Sequence, residues 1–203
     1  MERQQKKDAI RDKIIAATFD LICERTWESV SSDEICAAAK VSKRTLYAYF
    51  RSQDEIYLEL VKRSFAQMAT CLGAAFSEGN TVTDRIINLG EAYLRFMLDE
   101  PVKGALVVRF DEMRFTESYP EQVKRIGEIA NANELLALFR QQKLDPERYD
   151  RSLALGLWAH IQGLAQLIVS KKMWLEDYYG IAIENLIAEQ MTFVRKILEG
   201  LGK

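Results

Sequence analysis

Proline and glycine are scarce in this 203-residue chain, which holds three of the first and ten of the second, none of the glycines before Gly73. Both residues interrupt helices, so their shortage points to a mostly helical protein. Cysteine is thin as well. Cys23, Cys36 and Cys71, with the single histidine His160, match no zinc-binding spacing. An odd cysteine count and the lack of a signal-peptide pattern fit a reducing, cytoplasmic setting. No run approaches the ~18 consecutive apolar residues of a membrane span, so no membrane partner is expected. Charge of one sign is missing too: the formal net charge is −2. Residues 1–63 hold 12 Lys and Arg against 11 Asp and Glu, so any affinity for nucleic acid must come from a local patch. Catalytic chemistry finds no foothold: no serine or cysteine nucleophile sits in a recognisable motif, and no glycine-rich loop could cradle phosphate. The carboxylate pairs Asp99–Glu100 and Glu176–Asp177 are adjacent at expected helix ends, where solvated acids gather. No catalytic site, metal or cofactor is expected.

What remains is a globular composition, 48% apolar and 29% charged, long enough for one large domain or two small ones. Met1 to Lys7 carries Arg3, Lys6 and Lys7 and reads equally as a basic arm for DNA or a solvated, fraying terminus. Residues 8–25 form a first helix with Ile14, Ala17, Leu21 and Ile22 inward, and Trp27 and Val30 fill the corner after it. The spacing predicts a helix from Asp54 to about Phe76, a linker over 77–82, and a helix capped by Thr83 and running to about Asp99. Pro101 opens a segment to about Phe115, and Ser118, Pro120 and Glu121 start a long helix through Lys143. Asp145 and Pro146 start another through about Lys172, and the last covers about 179–201.

The most informative stretch is Ser31 to Gln53, SSDEICAAAKVSKRTLYAYFRSQ. Ser31 and Glu34 form a capping box that opens one short helix, with Ile35 and Ala39 on its inner face. Lys40-Val41 breaks the pattern, and Ser42 caps a second helix from Lys43 to about Phe50 whose apolar side is Leu46 and Phe50. Ser52 with Glu55 caps a third. Lys43, Arg44, Thr45, Tyr47 and Tyr49 supply more donors than a helix needs for packing alone. Four basic residues and no acid lie between Lys40 and Gln53. Such a helix suits the major groove, where side chains reach base edges and phosphates accept from Lys, Arg, Tyr and Ser. The same hairpin can also serve packing only.

From about Ile14 to Leu60 the chain resembles the N-terminal domain of the TetR family of transcriptional regulators. The segments that carry the likeness are IIAATFDLICERTW, SSDEICAAAKVSKRTLYAYF and RSQDEIYLEL, with the V-S-x-x-T-L-Y-x-[HY]-F run at the recognition helix. Thr26 and Lys40 stand where the family often has glycine, Tyr49 where histidine is common, and Gln53 where a lysine often touches phosphate. The resemblance implies an all-α fold: a three-helix helix-turn-helix reader at residues 1–55, a connecting helix over 54–76, and a larger helical regulatory and dimerisation domain over 77–203, about nine helices in all. It implies a ligand-responsive, sequence-specific DNA-binding regulator, a repressor released from a palindromic operator by an apolar or amphipathic small molecule. A helical adaptor without such sensing is the alternative.

The resemblance assigns Lys43, Arg44 and Ala48 to base edges and Thr45, Tyr47 and Tyr49 to phosphates, with Ser31, Ser32, Lys40, Ser42 and Arg51 flanking the groove. It implies a homodimer through two terminal helices, carried by Leu157, Ile161, Gly163, Leu164, Ile168, Ile187, Met191 and Val194; by periodicity alone these residues read equally as a core pair. It implies an effector cavity among Tyr93, Phe96, Met97, Arg109, Phe110, Met113, Trp158, Gln162 and Trp174, with Leu136 and Phe139 nearby. Without it, such an aromatic and methionine set reads as plain core. Trp158-Ala-His-Ile-Gln-Gly163 is similar to a Trp–x–x–x–His–Gly element of these regulatory domains, with Gln162 in place of the histidine.

Overall fold

The computed structural model describes residues 2–131 and 151–200. These residues form ten α-helices and short helical turns, with no strand among them. In chain order the helices are α1 (Glu2–Glu24), α2 (Ser32–Ala39), α3 (Lys43–Tyr49), α4 (Gln53–Ser77), α5 (Val82–Asp99), α6 (Pro101–Val108), α7 (Met113–Thr116), α8 (Pro120–Asn131), α9 (Arg151–Met173) and α10 (Ile183–Gly200). The expected continuation of a helix to Lys143, the start at Asp145–Pro146, and Leu136 and Phe139 lie outside the described residues.

Local chemistry sets most boundaries. Helix α1 begins at Glu2, so Lys6 and Lys7 lie on a helix rather than on a frayed arm. The cap of α5 is Thr81, not Thr83: its hydroxyl accepts from the Asp84 amide at 3.0 Å while Asp84 accepts from the Thr81 amide at 3.2 Å. The segment from Pro101 to Phe115 divides into α6 and α7. After α9, a five-residue π turn (Trp174–Tyr178) and Gly180 at φ 64° delay α10 to Ile183, four residues past the expected start.

Two apolar clusters hold the chain together. The first gathers Ile14, Ile35, Leu46, Phe50, Ile56 and Val61 from α1 to α4. It also takes in Leu106 of α6, Phe115 of α7 and Ile126 of α8. The second joins Met68, Leu72 and Phe76 of α4 to Leu94, Met97, Leu157, Ile168, Ile187 and Leu198. Helix α4 therefore belongs to both, and α6 to α8 reach down onto the N-terminal helices. Through the first cluster to Phe65, which packs against both, runs a ladder of rings: Trp27–Tyr57 at 5.3 Å, Tyr57–Phe115 at 5.5 Å, Phe115–Phe110 at 6.2 Å and Phe110–Phe65 at 6.1 Å between centroids. Such spacings are those of attractive aromatic pairs. Gly104 lets α6 cross α5 closely, since a Cβ there would lie 3.0 Å from the Met97 Cα.

Helix α9 departs from the expectation that no segment matches a membrane span. Ser152–Tyr178 is long and apolar enough by length and composition, and 22% of its most apolar window is buried in the protomer. No charged residue occurs from Ser152 to Ser170. One face of α9, with Leu157, Leu164, Ala165 and Ile168, fills the second cluster. The other face leaves Leu155 (53%), Trp158 (64%) and Leu167 (43%) exposed.

Candidate nucleic-acid interface

The reader is built on three serine caps. Ser31 accepts from the Glu34 amide, and the Glu34 carboxylate accepts from the Ser31 amide at 2.9 Å, so the expected capping box is present. Arg25 adds an ion pair to Glu34 at 2.8 Å. The Ser31 hydroxyl and amide, with Arg25, bring the Glu34 carboxyl down to about 2. Ser42 accepts from the Thr45 amide at 3.1 Å and starts α3. Ser52 accepts from the Glu55 amide at 3.2 Å, while the Glu55 carboxylate accepts from the Arg51 amide at 2.6 Å, so this box closes one residue early.

Between α2 and α3 the chain turns through Lys40, whose φ of 51° and ψ of 49° place it in the left-handed region. It is the only non-glycine residue with positive φ among the described residues. That conformation explains why glycine suits the position.

Helix α3 is anchored from below. Leu46 is 0% exposed and Phe50 1%. The Arg11 guanidinium lies 4.3 Å from the Phe50 ring centroid, donates to the Tyr49 carbonyl at 3.2 Å, and pairs with Glu59 at 3.2 Å. Arg11 thus binds α1 to the last turn of α3 and to α4, meeting a helix C-terminus where a cation is favoured. Glu59 is buried; Lys62 and Arg63 also pair with it, and Arg63 pairs with Asp12. Burial pushes the Glu59 carboxyl up, but hydrogen bonds from Lys62, Arg63 and Arg11 outweigh it and hold the pKa below the usual range.

With its apolar side pinned, α3 turns Lys43, Arg44, Tyr47 and Ala48 to solvent, and Thr45 and Tyr49 are half-buried. Ser31, Lys40, Ser42 and Arg51 are exposed around it, and Ser32 is partly so. All eleven residues reach solvent, fully or in part. Several are already engaged: the Ser32 and Tyr47 hydroxyls meet at 3.0 Å, those of Ser42 and Thr45 at 2.9 Å, and Lys43 pairs with Asp33 at 2.8 Å. Gln53 faces elsewhere, donating to the Val30 carbonyl at 3.0 Å and closing the corner after α1. Arg11, Arg25 and Asp33 are hard to pick out in the sequence because their partners are 9 to 48 residues away, beyond any helical repeat. Only Asp33, in the first turn of α2, advertises itself as an acid beside the reader.

The other two candidate sets fare differently. Leu157, Leu164, Ile168, Ile187, Met191 and Val194, read as dimer contacts, are buried in the protomer's own second cluster, with Ile161 against it. The strong periodic stripe is the core face, as helical periodicity selects whatever is buried first. Gly163 lies on the opposite, exposed face, where an added Cβ would meet nothing. Nearby, Leu153, Gly156, Leu157, His160, Phe193, Val194 and Ile197 line an open apolar groove of about 220 Å³ between α9 and α10.

The nine effector candidates do not converge. Phe96 and Met97 are buried in the second cluster. The half-buried Tyr93 hydroxyl donates to Gln162 at 2.7 Å, and burial pushes its pKa up to about 12. Phe110 instead joins the aromatic ladder, Arg109 is exposed, and Met113 is 78% exposed. Trp158 and Trp174 are on the surface, the latter under the Lys171 ammonium at 4.2 Å. Spacing along α6 and α7 could not reveal that the chain breaks after Val108 and turns Met113 outward.

Known proteins carry the same features. Residues 14–60 match the sequence model of the bacterial regulatory proteins of the tetR family. The chain is 34% identical over 64 residues to the dhaKLM operon transcriptional activator DhaS of Lactococcus lactis, a match covering 31% of this chain and 34% of that protein. It therefore spans only about a third of DhaS. It is 23% identical over 187 residues to the transcriptional activator FasR of Mycolicibacterium smegmatis, covering 92% of this chain and 82% of that one. A crystal structure of a TetR-family regulatory protein from Rhodococcus superposes with a TM-score of 0.68 at 13% identity, over 93% of this chain and 96% of that one. The first likeness fixes the reader and the last the fold. Residues 14–60 thus carry the N-terminal domain of the bacterial tetR-family regulatory proteins, and the fold as a whole is similar to that of a TetR-family regulatory protein.

Proposed function

We propose that the protein is a homodimeric regulator that lays α3 of each protomer into successive major grooves of a roughly palindromic operator. The observation that carries this reading is the exposed row Lys43, Arg44, Tyr47 and Ala48 on a short helix whose other side is locked by Leu46, Phe50 and Arg11. Lys43, Arg44 and Ala48 take the base edges; Thr45, Tyr47 and Tyr49 take phosphates, with Ser31, Ser32, Lys40, Ser42 and Arg51 around them. Residues 1–55 act as the reader, α4 as the connecting helix, and the rest of the chain as the regulatory part.

A second copy of the chain covers the uncharged outer face of α9 and the neighbouring Phe193 of α10. Leu155, Gly163, Leu167 and Phe193 supply it, and the groove beside His160 receives a side chain of the partner. Large apolar surface of this kind is seldom left to water. A small apolar or amphipathic effector enters between α5 and α9, where Tyr93 and Gln162 offer a polar pair beside Phe96 and Met97. It weakens DNA binding only by favouring the spacing of the two readers that does not fit the operator, with a coupling of ~1–3 kcal/mol typical of such systems. The direction of regulation is left out of the proposal, since DhaS and FasR are both named activators.

Selection of duplexes from a random pool with the purified protein tests the reading. The expected product is a two-fold symmetric site whose half-sites lie about one helical turn, ~34 Å, or a multiple of it apart. A pool that shows no enrichment over several rounds overturns it.

A further inference from the structure

The stretch that bears the reading residues is free of acid from Lys40 to Gln53, yet the fold brings a carboxylate onto it. Asp33, in the first turn of α2, lies 2.8 Å from the Nζ of Lys43, the first residue of α3. The side chains are 74% and 58% exposed. An exposed pair of this kind contributes little to folding, so its consequence is sought at the surface it occupies. That surface is the one meant for DNA, and an acid there repels every phosphate.

We infer that Asp33 is a specificity-determining residue: it holds the Lys43 ammonium away from phosphates and leaves it available to neutral base edges. This rests on α3 being the base-reading helix. The ammonium carries three N–H donors, and Asp33 engages one, leaving two for a neutral acceptor pair such as guanine O6 and N7. A phosphate that competes for Lys43 has to displace the carboxylate or sit beside it, two anions around one cation. A guanine edge brings no charge and is not repelled. The Asp33 hydrogen bond, and then its charge, raise the Lys43 pKa, so the cation remains in place across the working range. The neighbouring contact between Ser32 and Tyr47 shows the same arrangement, a first-turn residue of α2 fixing a DNA-facing side chain of α3. Asp33 thus removes one cation from sequence-independent binding without removing it from readout, a repulsive element of the kind that specificity often requires.

The test compares wild type with Asp33→Asn, which keeps the shape and removes the charge, on two probes across a salt series. One probe is the duplex enriched from a random pool by the wild-type protein; the other is the same duplex with its sequence shuffled. Asp33→Asn should tighten binding to the shuffled duplex by ~3–10-fold at low salt and steepen its log-log salt slope by about one per protomer. The enriched duplex should gain less, so the ratio of the two affinities falls. In Lys43→Ala/Asp33→Asn the gain on shuffled DNA should largely vanish, because the freed cation is gone. An unchanged ratio and slope for Asp33→Asn, or an equal gain that persists without Lys43, overturns the inference. If Lys43→Ala and Arg44→Ala both bind the enriched duplex like wild type, the reading of α3 itself fails instead.

Discussion

Lys40 is the residue at which local conformation and function pull apart. Its backbone sits at φ 51°, a region that costs an L-residue with a Cβ roughly 1–2 kcal/mol and glycine nothing. Its side chain is exposed, and on the proposed reading surface a cation there would gain phosphate contacts. Lys40→Gly should therefore stabilise the fold and weaken DNA binding together. The expected stability gain is roughly 0.5–1 kcal/mol once the extra freedom of glycine in the unfolded chain is counted, a melting rise on the order of 2–3 °C. The salt slope of DNA binding should fall by about one per protomer. A thermal melt and an anisotropy titration read both; a lower melting temperature with unchanged DNA binding would contradict the account of this turn. The strain was half-legible in the sequence, where lysine stands in the place glycine often takes. The ties that orient α3, Arg11 to Tyr49 and Glu59, were not legible, because they join residues 38 and 48 apart and only the tertiary fold sets them face to face.

At the scale of the helix, α9 shows why a periodic pattern can be read correctly and its meaning missed. The repeat of Leu157, Leu164 and Ile168 is real, but it serves the protomer's own core. The opposite side, with Leu155, Ala159, Gly163 and Leu167, is weaker as a pattern because small residues stand where a partner helix would approach closely. The two faces make separable predictions. Gly163→Leu should leave the protomer folded, since nothing stands within 4 Å of its added Cβ, and should split the dimer. Leu164→Asp, 8% exposed in the wild type, should instead lower the melting temperature sharply by burying a charge without a partner, a loss of several kcal/mol. Sedimentation and thermal melts separate the two. A Gly163→Leu protein that stays dimeric, or a Leu164→Asp protein that melts like wild type, would contradict the assignment of faces. The short helices near the reader were the most legible elements, because Ser31, Ser42 and Ser52 each announce a helix start through a local hydrogen bond. The break between α6 and α7 was the least, since no proline or glycine marks it.

For the whole molecule, the arrangement of cores bears on how a regulatory part could act on a reader. The N-terminal cluster is not closed within residues 1–55; Leu106, Phe115 and Ile126 complete it from α6, α7 and α8. The rings from Trp27 through Tyr57 and Phe115 to Phe110, together with the Ser52–Tyr119 hydroxyl contact at 2.6 Å, run continuously from the reader's corner to those helices. A shift of α6 or α7 therefore has a packed route to α3. The all-helical class and the reader's place in the chain were readable from glycine scarcity and serine caps. The effector region was not, because its candidates were chosen by chemistry and the fold scatters them over two clusters and the surface.

The central claim is that α3 reads base sequence, and Arg44 tests it most directly, being exposed and engaged by no cap. Affinities of wild type and Arg44→Ala would be measured by fluorescence anisotropy on the duplex enriched from a random pool and on its shuffled counterpart, at equal salt. The account predicts a loss of ~1–3 kcal/mol per half-site on the enriched duplex, with a much smaller loss on the shuffled one. Equal losses on both duplexes, or none on either, would contradict it.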